Sequence, residues 1–208
     1  MATQASFGFF PDALFNAYKE GRHADVRLKS GDGHVVNAHK LILSTRSRVF
    51  RDMLEPDECK TSNEETVTLS ELKHEELEAF IEFMYKGSLP HDKMKQHVRS
   101  LYLASDKYDV PYLEDVCSNH LVSSLDLSNV LEVLELSCIF PDIYLQNAAL
   151  GFAAKNVKEI ALSAQFNAFV GRNPNLAVKI MQASLNLTSN STCSRCRGYG
   201  SGIYGDDY

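Results

Sequence analysis

No stretch of this sequence stays apolar for the roughly 20 residues that a bilayer-spanning helix needs. Positive charge is in deficit as well: 21 Lys and Arg against 27 Asp and Glu leave a net charge of −6. A general electrostatic grip on nucleic acid or on an anionic membrane is thereby excluded. The opening MATQASFGFFPDALFNAYKEG lacks the charged start, long apolar stretch and cleavage site of a signal peptide. The expected setting is inside the cell, in cytoplasm and/or nucleus. The cysteines at 59, 117, 138, 193 and 196 are then reduced thiols and not a disulfide framework.

Signatures of catalysis are missing too. There is no nucleophile elbow of the G-x-S-x-G type. Gly31 and Gly33 lack the Lys-Ser/Thr that completes a phosphate-binding loop. The histidines are scattered: His91 and His97 read as solvated residues after Pro90, and His74 as a surface residue in the first turn of a Glu-rich helix. Cys193-Ser194-Arg195-Cys196 is a lone pair of thiols, whereas structural zinc needs four ligands. Cys117, beside Val116 and Leu121, reads as a core residue. The expectation is a protein without enzymatic activity, metal or cofactor.

What is present is a short β-rich start followed by many helices. Asp25 to Leu28 and His34 to Ala38 alternate in character around Ser30-Gly31-Asp32-Gly33, a hairpin signal. His39 to Leu54 reads as two short helices joined at a break, with Ser47 as the N-cap of the second. Glu55 to Glu65 reads as a polar loop and Thr66 to Leu69 as a third strand. Leu77, Phe80, Ile81, Met84 and Tyr85 follow helical spacing up to Gly87, a C-cap. Helices are expected over 98–108 and 112–125, separated by Pro111. Asn129 and Glu132 make a capping box for a helix through Ile139 that Pro141 ends. Two more helices are expected over 145–157 and 176–187, with a turn at Gly171 to Pro174. The close, CSRCRGYGSGIYGDDY, is Gly- and Tyr-rich without a period and is expected to be disordered. This is an α+β domain followed by an all-helical one.

Three motifs give that order a resemblance. They are A-H-K-L-I-L-x-x-x-S-x-x-F from Ala38 to Phe50, F-x-x-F-M-Y-x-G from Phe80 to Gly87, and A-x-x-K-Y from Ala104 to Tyr108. Together they resemble the BTB/POZ domain, over roughly residues 7 to 125. Residues 126 to 187 are similar to a shortened BACK-type helical extension, and the compact organisation resembles short plant BTB/POZ and speckle-type POZ-like proteins. The implied division is a leader with a dimerisation helix at 1–22, a BTB/POZ domain at 23–125, a BACK-like extension at 126–187 and a tail at 188–208.

The resemblance implies a function in protein–protein binding. Phe10, Leu14 and Ala17 stand at i, i+4 and i+7 of an amphipathic leading helix, which needs an apolar partner. The resemblance implies that it packs across the two-fold axis of a homodimer; the alternative is that it folds back on its own chain. Asp25 and Lys40 are implied to lie together beneath that interface as mutually compensating charges. The alternative is a strand cap and a solvated first-turn residue. The resemblance further implies an adaptor of a cullin-3-based E3 ubiquitin-protein ligase that joins an unknown substrate protein to the cullin-3 N-terminal domain. The implied contact residues are Met53, Leu54, Glu58 and Tyr108, with Phe50 beside them as core. The loop departs from the family pattern, because Pro56 stands where a large apolar residue precedes x-Glu. A dimerising scaffold or transcriptional co-regulator without cullin binding is the competing expectation, as is a subunit that pairs with related, longer BTB proteins.

Overall fold

The computed structural model describes residues 9–54, 65–140 and 142–192. The chain divides into two compact units, residues 1–120 and 121–208. The first begins with α1 (Phe9–Lys19), then β1 (Val26–Ser30) and β2 (Val35–Ala38), followed by α2 (Lys40–Arg46) and α3 (Arg48–Leu54). It continues with β3 (Glu65–Leu69), α4 (His74–Lys86), α5 (His91–Lys107) and α6 (Pro111–Ser123).

The hairpin forms as the glycines indicate. β1 and β2 pair antiparallel, with Val26 opposite Ala38 and Leu28 opposite Val36. β3 joins the other edge of β1 in parallel, Leu28 opposite Val67, giving the order β2-β1-β3. A parallel neighbour needs a crossover, and α2 and α3 supply it. Gly31 is required by close approach: a Cβ there would sit 2.1 Å from the Ser70 carbonyl oxygen. One face of the sheet closes on α4 and α5. Leu28, Leu43, Phe50, Leu69, Leu77, Phe80, Phe83 and Leu101 are fully buried there.

α4 spans the expected helix and stops at Gly87, whose φ of 72° is the left-handed conformation that a C-cap needs. α5 starts at His91, earlier than the expected Val98. Pro90 stands at its N-cap and Asp92 in the first turn complements the helix dipole. The polar HDKMKQH stretch hides this start, since of its residues only Met94 is buried. His91 and His97 are therefore helical residues. Pro111 does not separate two helices; it is the first residue of α6, where its missing N–H costs nothing.

The second unit comprises α7 (Val130–Leu136), α8 (Ile143–Lys155), α9 (Val157–Ala161), α10 (Ala164–Arg172) and α11 (Pro174–Thr192). The expected Asn129 capping box does not form. Instead the Asn129 side chain donates to the Ser124 carbonyl at 2.7 Å and accepts the Asp126 N–H at 3.0 Å, so it closes the preceding turn. α7 ends at Leu136 and not at Ile139; Pro141 lies outside the described residues. α10 carries no long apolar run, yet Ser163 caps it by accepting the Phe166 N–H at 3.1 Å. Phe166 and Phe169 bury its inner face.

Candidate interaction surfaces

α1 carries two apolar stripes. Phe15 and Tyr18, at i and i+3, are buried and meet Tyr85 of α4, with ring centroids 6.4 Å and 5.1 Å away. Lys86 Nζ lies 4.2 Å from the Phe15 centroid, a cation–π contact. Lys19 pairs with Glu78 at 3.3 Å. Burial, and then the Glu78 carboxylate, push the Tyr18 phenol pKa upward. The helix thus folds onto its own chain through Phe15 and Tyr18, which the Phe10, Leu14, Ala17 pattern misses; only the F-x-x-Y spacing signals them. Leu14 and Ala17 are half-exposed on the adjoining stripe, and the Phe10 side chain lies outside the described residues.

The His39-Lys40 pair ties this helix to the sheet. His39 Nε2 lies 2.7 Å from the Arg22 carbonyl oxygen and Nδ1 lies 2.5 Å from the Tyr85 hydroxyl. A carbonyl only accepts, so Nε2 carries the proton and Nδ1 of the neutral ring accepts from Tyr85. The same hydroxyl accepts the His39 backbone N–H at 3.1 Å. Burial pushes the Tyr85 pKa up to about 12. One residue on, the Lys40 N–H donates to Asp25 Oδ1 at 2.7 Å. Asp25 therefore satisfies an orphan donor in the first turn of α2, and its charge complements the helix N-terminus. On the single chain Asp25 is exposed and Lys40 half-buried. The two implied partners are adjacent, but Asp25 is not desolvated.

The break between α2 and α3 is braced from α5. Ser47 Oγ accepts the Phe50 N–H at 3.0 Å, the expected N-cap, and donates to the Tyr108 carbonyl. The Phe50 and Tyr108 rings stack with centroids 4.9 Å apart and planes 10° from parallel. The Tyr108 hydroxyl donates to Glu71 Oε1 at 2.5 Å, and Lys107 Nζ lies 2.7 Å from Glu71 Oε2. Burial, then the Glu71 carboxylate, push the Tyr108 phenol pKa upward. Burial would raise the Glu71 carboxyl, but the Lys107 and Tyr108 hydrogen bonds outweigh it and leave it lowered.

These contacts correct the implied cullin surface. Tyr108 is 2% exposed and Leu54 is 5% exposed, so both belong to the core with Phe50. Met53, 43% exposed at the end of α3, is the implied contact residue that faces solvent. Glu58 and Pro56 lie outside the described residues.

Elsewhere, His74 is half-buried and not a plain surface residue. It stacks on His34 at 4.6 Å between centroids, and its Nδ1 is buried without a hydrogen-bond partner. Cys117 is buried, and burial, then the Glu114 carboxylate, push its thiol up to about 12, far from a reactive thiolate. Among the described residues no cluster of three or more His, Cys, Asp or Glu is placed to hold a metal ion. Cys193 and Cys196 lie outside them. No described helix is long and apolar enough to cross a membrane.

Comparison with known proteins places these features in a family. The family model for the BTB/POZ domain matches residues 14–125. A BTB/POZ domain-containing protein of Arabidopsis thaliana is 47% identical over 202 residues, covering 94% of this chain and 90% of its own length. A second from the same organism is 45% identical over 182 residues, covering 86% of each.

Proposed function

Since the chain belongs to the BTB/POZ family, whose members are protein–protein interaction modules, we propose that it acts as a homodimeric, substrate-specific adaptor of a cullin-3-based ubiquitin ligase. The observation that carries this reading is Met53. On a two-turn helix whose Phe50 and Leu54 are core, it presents a large apolar side chain to solvent. It does so directly before the 55–64 segment, where the family's recognition loop falls. An exposed apolar residue beside a polar, acidic rim is the composition of a small binding patch.

The homodimer rests on α1. Phe15 and Tyr18 fix the helix on α4, which leaves Leu14 and Ala17 half-exposed on a neighbouring stripe. A self-complementary face of this kind suits a two-fold contact.

Pro56, which replaces a large apolar anchor, favours the second reading: a dimerising scaffold or transcriptional co-regulator that does not engage a cullin. Calorimetry with a cullin-3 N-terminal domain separates the two. The adaptor binds at micromolar Kd or tighter, about −8 kcal/mol, and Met53→Asp abolishes the binding. A folded, dimeric protein that gives no heat of binding is a scaffold.

A further inference from the structure

The last helix has two apolar faces and the fold uses one. Leu176, Ala177 and Ile180 of α11 are buried. Val178, Met181 and Leu185 form a second stripe at i, i+3 and i+7, about half a turn around the helix, and they are 53%, 43% and 67% exposed. Lys179 is the one charged residue in α11. A contiguous apolar face on a surface helix marks a contact.

We propose that the chain's own C-terminal segment, residues 193–208, covers this face by running back antiparallel along α11. Reach is the first argument. A helix advances about 1.5 Å per residue and an extended chain about 3.3 Å. The distance from Thr192 back to Val178, about 21 Å at the helical rise, is covered by six or seven extended residues. If 193–196 make the reversal, Tyr199 falls beside Leu185 and Ile203 beside Met181 and Val178. Tyr199 and Ile203 share one side of an extended segment, and Gly198, Gly200 and Gly202 between and beside them let the backbone approach the helix closely.

Charge is the second argument. α11 carries no acidic residue in its first turn and no basic residue in its last, so both ends of its dipole lack a complementary side chain. The segment supplies both in the antiparallel order. Arg195 and Arg197 lie by the C-terminal end, and Asp206 and Asp207 reach the N-terminal end near Lys179. The parallel order would reverse both signs. A partner protein that uses this face must displace the segment first.

The test is methyl NMR on the full chain labelled at methionine, in which Met181 is assigned by Met181→Leu and Met84 serves as a buried control. The expected result is that Tyr199→Ser with Ile203→Ser moves the Met181 methyl to the position of a solvent-exposed methionine and leaves Met84 unmoved. Asp206→Asn with Asp207→Asn should give a partial shift in the same direction, larger in low salt. A Met181 signal identical in wild type and in the tail variant overturns the proposal. So does a Met181 signal that changes on dilution and ignores the tail substitutions, since a second copy would then be the occupant.

Discussion

The Tyr85 hydroxyl stands 2.5 Å from His39 Nδ1 and 3.1 Å from the His39 backbone nitrogen, so one phenol serves two atoms of the same residue. It donates to the first and accepts from the second, while the Tyr85 ring supports Phe15 and Tyr18 of α1. The entry to α2 and the seat of the leading helix thus share one side chain.

Replacing Tyr85 by Phe keeps the ring and removes both hydrogen bonds. The expected loss of stability is about 1–3 kcal/mol, since a half-buried imidazole nitrogen and a backbone N–H lose their partner together. Chemical denaturation measures it. His39→Ala should cost a similar amount, and the double variant should cost less than the sum of the two.

Substituting Ser47 by Ala tests the brace between α3 and α5. The cap of α3 is lost, typically about 1 kcal/mol, and the Tyr108 carbonyl loses a buried donor, which adds about 1 kcal/mol or more. Thr, which retains the hydroxyl, should recover most of the loss in the same denaturation series.

Met53 and Tyr108 should part company. Met53→Asp at a 43% exposed site should change stability by less than about 0.5 kcal/mol. Tyr108→Ala empties the core between Phe50 and Phe80 and should cost about 3–5 kcal/mol, the range for large aromatic truncations. Thermal melts of both variants settle whether any binding defect in each is a surface effect.

The strands, α3, α4 and their caps were legible because their signals are local: alternation around two glycines, Ser47 before an apolar turn, Gly87 after one. The implied contact set was only partly legible. Phe50, Leu54 and Tyr108 share an apolar character with Met53, and a short motif does not say which of them the other elements cover. Phe15 and Tyr18 were missed because α1 is apolar on two adjoining stripes, and only the position of Tyr85 decides which one turns inward. α10 was missed because nothing but a serine cap and two spaced phenylalanines announces it. The role of Asp25 as an acceptor for the Lys40 N–H depends on β1–β2 register, which brings the ends of the two strands together.

Leu14 tests the homodimer. Because Phe15 and Tyr18, and not Leu14, hold α1 to α4, Leu14→Glu should leave the monomer folded and shift light scattering from dimer to monomer. Phe15→Ala should instead loosen α1 from its own chain, at a cost of about 3–5 kcal/mol. A Leu14→Glu protein that remains dimeric places the two-fold contact elsewhere.

Glu82 gives the acid limb of stability. Its side chain is 6% exposed in the middle of α4, where its oxygens lie 3.0 Å from Lys86 Nζ and 2.6 Å from Lys93 Nζ of α5. Burial alone would raise its carboxyl, but the Lys93 and Lys86 contacts prevail and hold it below the ordinary carboxylate value. A group lowered in the folded state binds fewer protons there than in the unfolded chain. Its contribution is therefore complete above the ordinary carboxylate pKa, near 4.5, and is lost as pH falls through that value toward the folded one. Glu82→Gln should lower stability at neutral pH by about 1–3 kcal/mol, the cost of weakening hydrogen bonds to charged donors. The same substitution should flatten the decline in stability between about pH 5 and pH 3. Denaturation of wild type and variant across that window measures both effects. Equal slopes would mean that the Lys93 bridge between α4 and α5 contributes nothing to the acid sensitivity.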